Sequence, residues 1–432
     1  MKGFAKFFMG ILLITVMLIM TSCSSIGRYF GDSGLFEGAS IGISKLPPPA
    51  KEVDNRVVQA NTRFAFKLFN QLIEQQPGEN VFISPASIGM ALAMTYNGAD
   101  GETKDAMAKV LEVQGIDIED FNKAYAALKT ILQNPDPGVQ VVIANSLWAR
   151  KGMSFYDDFL NINKKFYGAE VQELDFNSPN ASKIINGWVK KQSKGKIDKI
   201  IGDTISPDTI MFLINVLYFK GGWTNKFDPA LTREEPFSLD NGTQKVHPIM
   251  FQTGKKYPYY KGENFQAVSL PYGNGRVSMV VFLPDEGVDL SEFCRGITLE
   301  KWEEWMNSFS NTQGEVGLPK FKLEYEVELN EALKALGMEV AFDPERANFA
   351  KMHPIAPGAN VYISGVKHKT FVETNEQGTE ASGATSVEVG ITSVPVDNFS
   401  MIVNRPFFFV IRDNETGSLL FMGAIVDPLY EK

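Results

Sequence analysis

Apolar and polar positions recur with two different periods along this chain, and the helical period gives way to the strand period after the first third. Phe64, Ala65, Leu68, Phe69, Leu72 and Ile73 fall on one helical face, and Pro77-Gly78 ends that helix. Ser84-Pro85 supplies a cap and a first helical position for a second helix that reaches about Asn97. Helical patterning follows near 102–111, 119–132 and 155–166. Residues 139–148 are strand-like, and 211–219 and 277–283 are dense apolar runs that suit central strands buried on both faces. Residues 407–412 and 419–425 flank Asp413-Asn414-Glu415-Thr416-Gly417, which predicts a hairpin, and Gly273-Asn274-Gly275 predicts another turn. Helices first and strands afterwards argue for an α+β fold. No internal repeat or linker interrupts 56–432, which reads as one large domain.

One stretch conflicts with itself. The odd positions Thr379, Ala381, Gly383, Thr385, Val387, Val389 and Ile391 are all small or apolar, while Glu380, Ser382, Ser386 and Glu388 alternate with them. That is the signature of a strand with one buried face. Yet Ala, Gly and Ser crowd its first half, too little side chain to hold a strand independently. The pattern suits a segment that lives outside a sheet and later joins one. Taken alone, it better suits a flexible surface loop of small residues.

The N-terminus changes the picture. Lys2 and Lys6 accompany an apolar run over 7–20. The run is short for a membrane span of about 20 residues and suits a signal peptide over 1–22. Met20-Thr21-Ser22-Cys23 resembles the bacterial lipoprotein cleavage site. The resemblance implies that Cys23 becomes the N-terminus and carries acyl chains, anchoring the protein to a lipid bilayer at the bacterial cell envelope; plain secretion is the alternative. Residues 23–55, rich in Gly, Ser and Pro, then read as a flexible tether. If Cys23 is acylated, Cys294 has no partner for an intrachain disulfide. The 432 residues are 44% hydrophobic and 22% charged with net charge −9, an ordinary globular balance, and the lack of a long basic run argues against nucleic acid as a partner.

Catalytic signals are weak. Gly31-Asp32-Ser33-Gly34 and Gly38-Ala39-Ser40-Ile41-Gly42 match serine-hydrolase strings by letter, but both lie in the tether. There no strand precedes and no helix follows to present the Ser. His247, His353 and His368 sit in no matching signature, and with one spare Cys they do not make a zinc site of the usual spacing. No Gly-rich phosphate loop occurs.

A stronger signal is Glu376-Gln377-Gly378-Thr379-Glu380-Ala381-Ser382-Gly383-Ala384-Thr385, which closely resembles the hinge of inhibitory serpins. Other strings resemble the same family in the same order: Phe82-Ile83-Ser84-Pro85-Ala86-Ser87-Ile88, Asn186-Gly187-Trp188-Val189, Asn215-Val216-Leu217-Tyr218-Phe219-Lys220-Gly221-Gly222-Trp223, Leu318-Pro319-Lys320-Phe321 and Asn404-Arg405-Pro406-Phe407. The resemblance implies large mixed β-sheets, a helical N-terminal part and an exposed reactive loop near the C-terminus. It implies a serine-protease inhibitor, with papain-like cysteine proteases as a further target class. The target cuts the loop, and the cut loop enters the main sheet as a strand, holding the protease in a covalent 1:1 complex. No cofactor is implied, and a monomer is expected. The alternative is a non-inhibitory serpin acting as a binding or structural module.

The family places the scissile bond after the seventeenth residue counted from the hinge Glu, which gives Thr392–Ser393. The stretch after it is longer than usual, so Ile391–Thr392 stays open. Thr392 suits elastase-like pockets, and Ile391 suits subtilisin-like or papain-like enzymes. By the same resemblance Lys320 and Glu376 form an ion pair where the loop joins the sheet, and Trp223 lies beneath it. Ser84, Ser87, Asn186 and His368 resemble a polar cluster behind the central strands, a latch that must be satisfied in both states of the sheet.

Overall fold

Helix formation begins where a carboxylate can satisfy a first-turn amide. In this computed structural model, which describes residues 53–133, 135–354, 361–379 and 398–430, Asp54 accepts the Arg56 amide at 2.9 Å and starts α1 (Asn55–Gln75). Asn55 is therefore the first residue of a helix rather than the last of the tether. Phe64, Ala65, Leu68, Phe69, Leu72 and Ile73 are all buried on its inner face. All described residues fall in one unit, Pro47–Lys432; the other unit, Met1–Leu46, lies outside them.

Ser84 caps α2 (Pro85–Tyr96), its hydroxyl accepting the Ser87 amide, and every residue of α2 is buried. Further helices are α3 (Gly101–Val110), α4 (Ile118–Gln133), α5 (Asp157–Ile162), α6 (Ala181–Gln192), α7 (Leu290–Arg295), α8 (Leu299–Ser308) and α9 (Asn330–Leu333). The described strands are β1 (Val81–Ile83), β2 (Val139–Arg150), β3 (Glu170–Leu174), β4 (Met211–Gly222), β5 (Arg233–Ser238), β6 (Gln244–Lys261), β7 (Phe265–Tyr272), β8 (Val277–Pro284), β9 (Ser310–Pro319), β10 (Phe321–Glu328), β11 (Gly365–Asn375), β12 (Gly378–Thr379), β13 (Phe399–Ile402), β14 (Phe407–Asp413) and β15 (Leu419–Ile425).

Two mixed sheets result. One has the order β1-β15-β14-β8-β7-β6-β9-β13, with β5 on β6; the other has the order β10-β11-β12-β4-β2-β3. Helix α2 packs against strands of both, β15 from the first and β4 and β2 from the second. Strand β4 explains its own unbroken apolar run. Leu213, Leu217 and Phe219 join the main core, while Phe212, Ile214 and Val216 pack with Ile185 and Val189 of α6 in a second, smaller core. Strands β14 and β15 pair antiparallel as the predicted hairpin, and β7 and β8 pair across Gly273-Asn274-Gly275.

Candidate functional site

The second sheet carries a fork. β11 and β4 pair directly and in parallel from Gly365↔Phe212 to Thr370↔Leu217. Beyond Leu217 that pairing stops, and β12 sits between the two strands, antiparallel to both. Its two residues pair as Thr379↔Thr374 and Gly378↔Asn375 on one side, and as Thr379↔Gly221 and Gly378↔Gly222 on the other. β11 and β12 thus form a hairpin whose loop is Glu376-Gln377.

The hairpin loop is fastened from several directions. The Trp223 indole N–H donates to the Asn375 carbonyl at 2.9 Å, and the Trp223 amide donates to the Gln377 carbonyl at 3.0 Å. The Phe227 amide donates to the Glu376 carbonyl at 3.0 Å. The Glu376 carboxylate accepts from Lys320 Nζ at 3.0 Å and from the Thr232 hydroxyl at 2.9 Å. Burial works to raise the Glu376 pKa, but its own backbone amide, Lys320 and Thr232 outweigh that and hold it below the usual value. Burial likewise opposes the charge on Lys320, and Glu376 and Tyr430 outweigh it, raising the amine. This pair is largely buried rather than an exposed surface bridge, its side chains 16% and 12% accessible.

Gly378 has φ +146°, and a Cβ there would stand 2.1 Å from the Gly221 carbonyl oxygen. Only glycine fits so close to β4. Thr379 is 1% exposed. Its hydroxyl lies 2.6 Å from the Tyr272 hydroxyl and 3.4 Å from that of Thr374.

The register across the fork is continuous. Direct pairing sets residue 370 of β11 opposite 217 of β4. Pairing through β12 sets 374 and 221 on one line with Thr379. The offset between β11 and β4 is the same in both regions. A longer middle strand therefore needs the outer strands to separate, not to slide.

Below the fork, His368 crosses from β11 to β4. Its Nε2 accepts the Ser84 amide at 3.0 Å, so the ring proton sits on Nδ1, which donates to Asn215 Oδ1 at 2.9 Å. Asn215 Nδ2 donates to the Ser87 carbonyl at 2.8 Å, to Asn145 Oδ1 at 2.5 Å, and contacts the Ser87 hydroxyl. His368 is fully buried, and burial pushes its pKa down to about 3. Ser84, Ser87 and His368 thus come together.

Asn186 does not join them. It lies on α6, where its Oδ1 accepts the Ile200 and Ile201 amides at 2.9 and 3.1 Å and its Nδ2 donates to the Ile201 carbonyl at 3.0 Å. It fastens the segment after α6 on the far face of β4. Asn215, with Asn145, holds the position expected of it. The signal for Asn215 was one polar residue inside the apolar run 211–219, which requires buried partners. Tyr272 was also missed, since nothing local marks a tyrosine before a turn as a partner of Thr379.

The remaining hinge residues Glu380, Ala381, Ser382, Gly383, Ala384 and Thr385 lie outside the described residues, as do Thr392, Ser393, Cys23, Ser33 and Ser40. The histidines stand apart: His247 Nε2 is 2.5 Å from the Lys320 carbonyl and His353 Nδ1 is 2.8 Å from the Ser154 carbonyl. Among the described residues no group of three or more His, Cys, Asp or Glu is placed to hold a metal ion. Cys294 is buried, and burial pushes its thiol up, away from the reactive thiolate.

A family model described as serpin (serine protease inhibitor) matches residues 59–428. Human leukocyte elastase inhibitor is 35% identical over 380 residues, 85% of this chain and 98% of that protein. Human serpin B9 is 35% identical over 375 residues, with the same shares covered. Among solved structures, the thermophilic serpin tengpin in its native state superposes with TM-score 0.81 at 36% identity, covering 87% of this chain and 95% of that one. Tengpin in its latent state gives TM-score 0.75 at 34% identity, covering 87% and 99%.

Proposed function

Because this chain belongs to the serpin family of protease inhibitors, we propose that it stops its target by a suicide reaction in which residues 380–388 become the middle strand of the forked sheet. Loop insertion is the family's known form of strand addition. What supports it here is the common offset across the fork: the track for a new strand already exists in register.

Extending that register assigns each loop residue a pair of neighbours. Ala381 falls between Val372 and Phe219, Gly383 between Thr370 and Leu217, and Val387 between Val366 and Leu213. Thr385 falls between His368 and Asn215, which now bond each other. Its hydroxyl accepts from His368 Nδ1–H and donates to Asn215 Oδ1, so the one buried polar pair along the track meets the one hydroxyl able to separate it. Residue 388 reaches Gly365 and Phe212, where the direct β11–β4 pairing begins. Thr392 then emerges at the end of the sheet opposite the hinge.

The chemistry follows. The protease nucleophile attacks the carbonyl of Thr392, or of Ile391 in the neighbouring alternative. The bond to the next residue breaks, that residue leaves as a free amine, and the loop stays joined to the enzyme as an acyl ester or thioester. Strand formation then competes with water for the acyl-enzyme. Elastase-like serine proteases are the first target class, supported by the small, β-branched Thr392 and by the elastase inhibitors among the relatives; subtilisin-like and papain-like enzymes follow from Ile391. The protein works as a cofactor-free monomer, held at the bacterial envelope by acylated Cys23.

Incubation of the full chain with an elastase-like protease tests this. A denaturant-resistant 1:1 conjugate is the expected result, with a fragment starting at Ser393 or Thr392 that separates only on denaturation, because it carries β13–β15 of the first sheet. Clipping without a conjugate would instead make the protein a non-inhibitory binding or structural module.

A further inference from the structure

We propose that Tyr272 is a positioning residue for strand insertion: its hydroxyl, with that of Thr374, fixes Thr379 in register, so that insertion starts from a hairpin already formed. This rests on the insertion mechanism proposed above, but the contact itself belongs to the intact protein.

Tyr272 comes from the other sheet, at the end of β7, and its side chain is fully buried. Its ring is stacked on Trp223 at 4.4 Å and 11° and meets Phe219 edge-on at 5.1 Å. Trp223 in turn holds the backbone of Asn375 and Gln377. One aromatic pair therefore grips both sides of the β11–β12 hairpin, Trp223 by its loop and Tyr272 by its first core-facing side chain. Burial pushes the Tyr272 phenol up, so it stays a neutral hydroxyl able to donate at ordinary pH.

The identity of the partner selects the register. A slip by one residue turns Glu380 toward the core. A slip by two brings Ala381 to Tyr272, and a slip by four brings Gly383; neither has a hydroxyl. Until Thr385, Thr379 is the one core-facing loop residue that satisfies the buried phenol, so every early misregister leaves a buried hydroxyl unpaired. A strand that must outrun hydrolysis gains from starting in the right frame.

The test uses the full chain carrying Tyr272→Phe, Thr379→Val, Thr379→Ser and the Tyr272→Phe/Thr379→Val pair. Tyr272→Phe keeps the stacking on Trp223 and Thr379→Val keeps the shape. Each shifts the partition between conjugate and clipped inhibitor about fivefold toward clipping, the factor one net hydrogen bond supplies. Thr379→Ser restores trapping, and the double variant is no worse than either single one, because both remove the same contact. Hydrogen exchange on the uncleaved protein gives an independent readout: the Thr379 amide exchanges about fivefold faster in Tyr272→Phe. Unchanged exchange and partition, or additive losses in the double variant, overturn the proposal. If the wild-type chain never forms a conjugate, the inhibitory reading fails, and the exchange measurement still decides the contact.

Discussion

Thr385→Val isolates the inserted state from the intact one. In the intact protein His368 and Asn215 bond each other, and their hydrogen bonds draw on Ser84, Ser87 and Asn145. The variant should therefore leave intact stability within about 0.5 kcal/mol. In the proposed insertion the β11–β4 contact opens after cleavage and residue 385 would come between the two side chains. Valine fills the space but leaves His368 Nδ1–H and Asn215 Oδ1 without partners in a fully buried site. Each unsatisfied group costs about 1–3 kcal/mol, so the nicked variant should be about 2–6 kcal/mol less stable than the nicked wild type. Guanidinium unfolding of four samples, intact and nicked, wild type and variant, reads this difference, and Thr385→Ser should behave as wild type. Equal midpoints for the two nicked forms would mean that Thr385 never lies between His368 and Asn215, and the extended register would be wrong.

Three further outcomes follow from the same geometry. Thr379→Arg forces a charge into a site that is 1% exposed between β11 and β4; the loop should still be cut while conjugate disappears, and undiminished trapping on a denaturing gel would count against strand formation from Thr379. Glu376→Gln removes the charge that Lys320 and Thr232 hold and should lower intact stability by about 1–2 kcal/mol in urea unfolding. His368 has a folded pKa of about 3 against 6.5 in the unfolded chain. On acidification the unfolded chain therefore takes up a proton that the folded site refuses, and stability falls as pH drops through that window. The slope from this group is about 1.4 kcal/mol per pH unit, and a His368→Gln variant should lack it in unfolding measured between about pH 7 and about pH 4.5.

The parts of the fold written as long apolar runs were legible in the sequence. β4, β8, β14 and β15 carry contiguous apolar runs, and their short length, aromatic and β-branched content and flanking turns favour strands over buried helices. The stretch from Thr379 to Ile391 stood out as a conflict, strand alternation without strand-forming side chains, but only Thr379 of it lies within the described residues. Short or half-exposed strands were not: β3 is Glu-Val-Gln-Glu-Leu with no buried residue, and β12 has only two residues, paired on one side with the adjacent end of β11 and on the other with Gly221 and Gly222 of β4, more than 150 residues away. The polar cluster was half legible. Ser84, Ser87 and His368 lie where motif order suggested, but Asn186 and Asn215 are both asparagines in matching strings, and only the helix and strand that carry them decide which one reaches His368. Tyr272 could not be read at all, because its contact with Thr379 spans 107 residues and passes between two sheets.

Thermal unfolding of the full chain before and after a single nick at Ile391–Thr392 or Thr392–Ser393 tests insertion most directly. If the severed segment becomes the middle strand, the nicked protein should melt several degrees higher than the intact one, about 1 °C for each kcal/mol of added stability in a domain of this size. A nicked protein that melts at the same temperature as the intact one, or lower, would contradict the account.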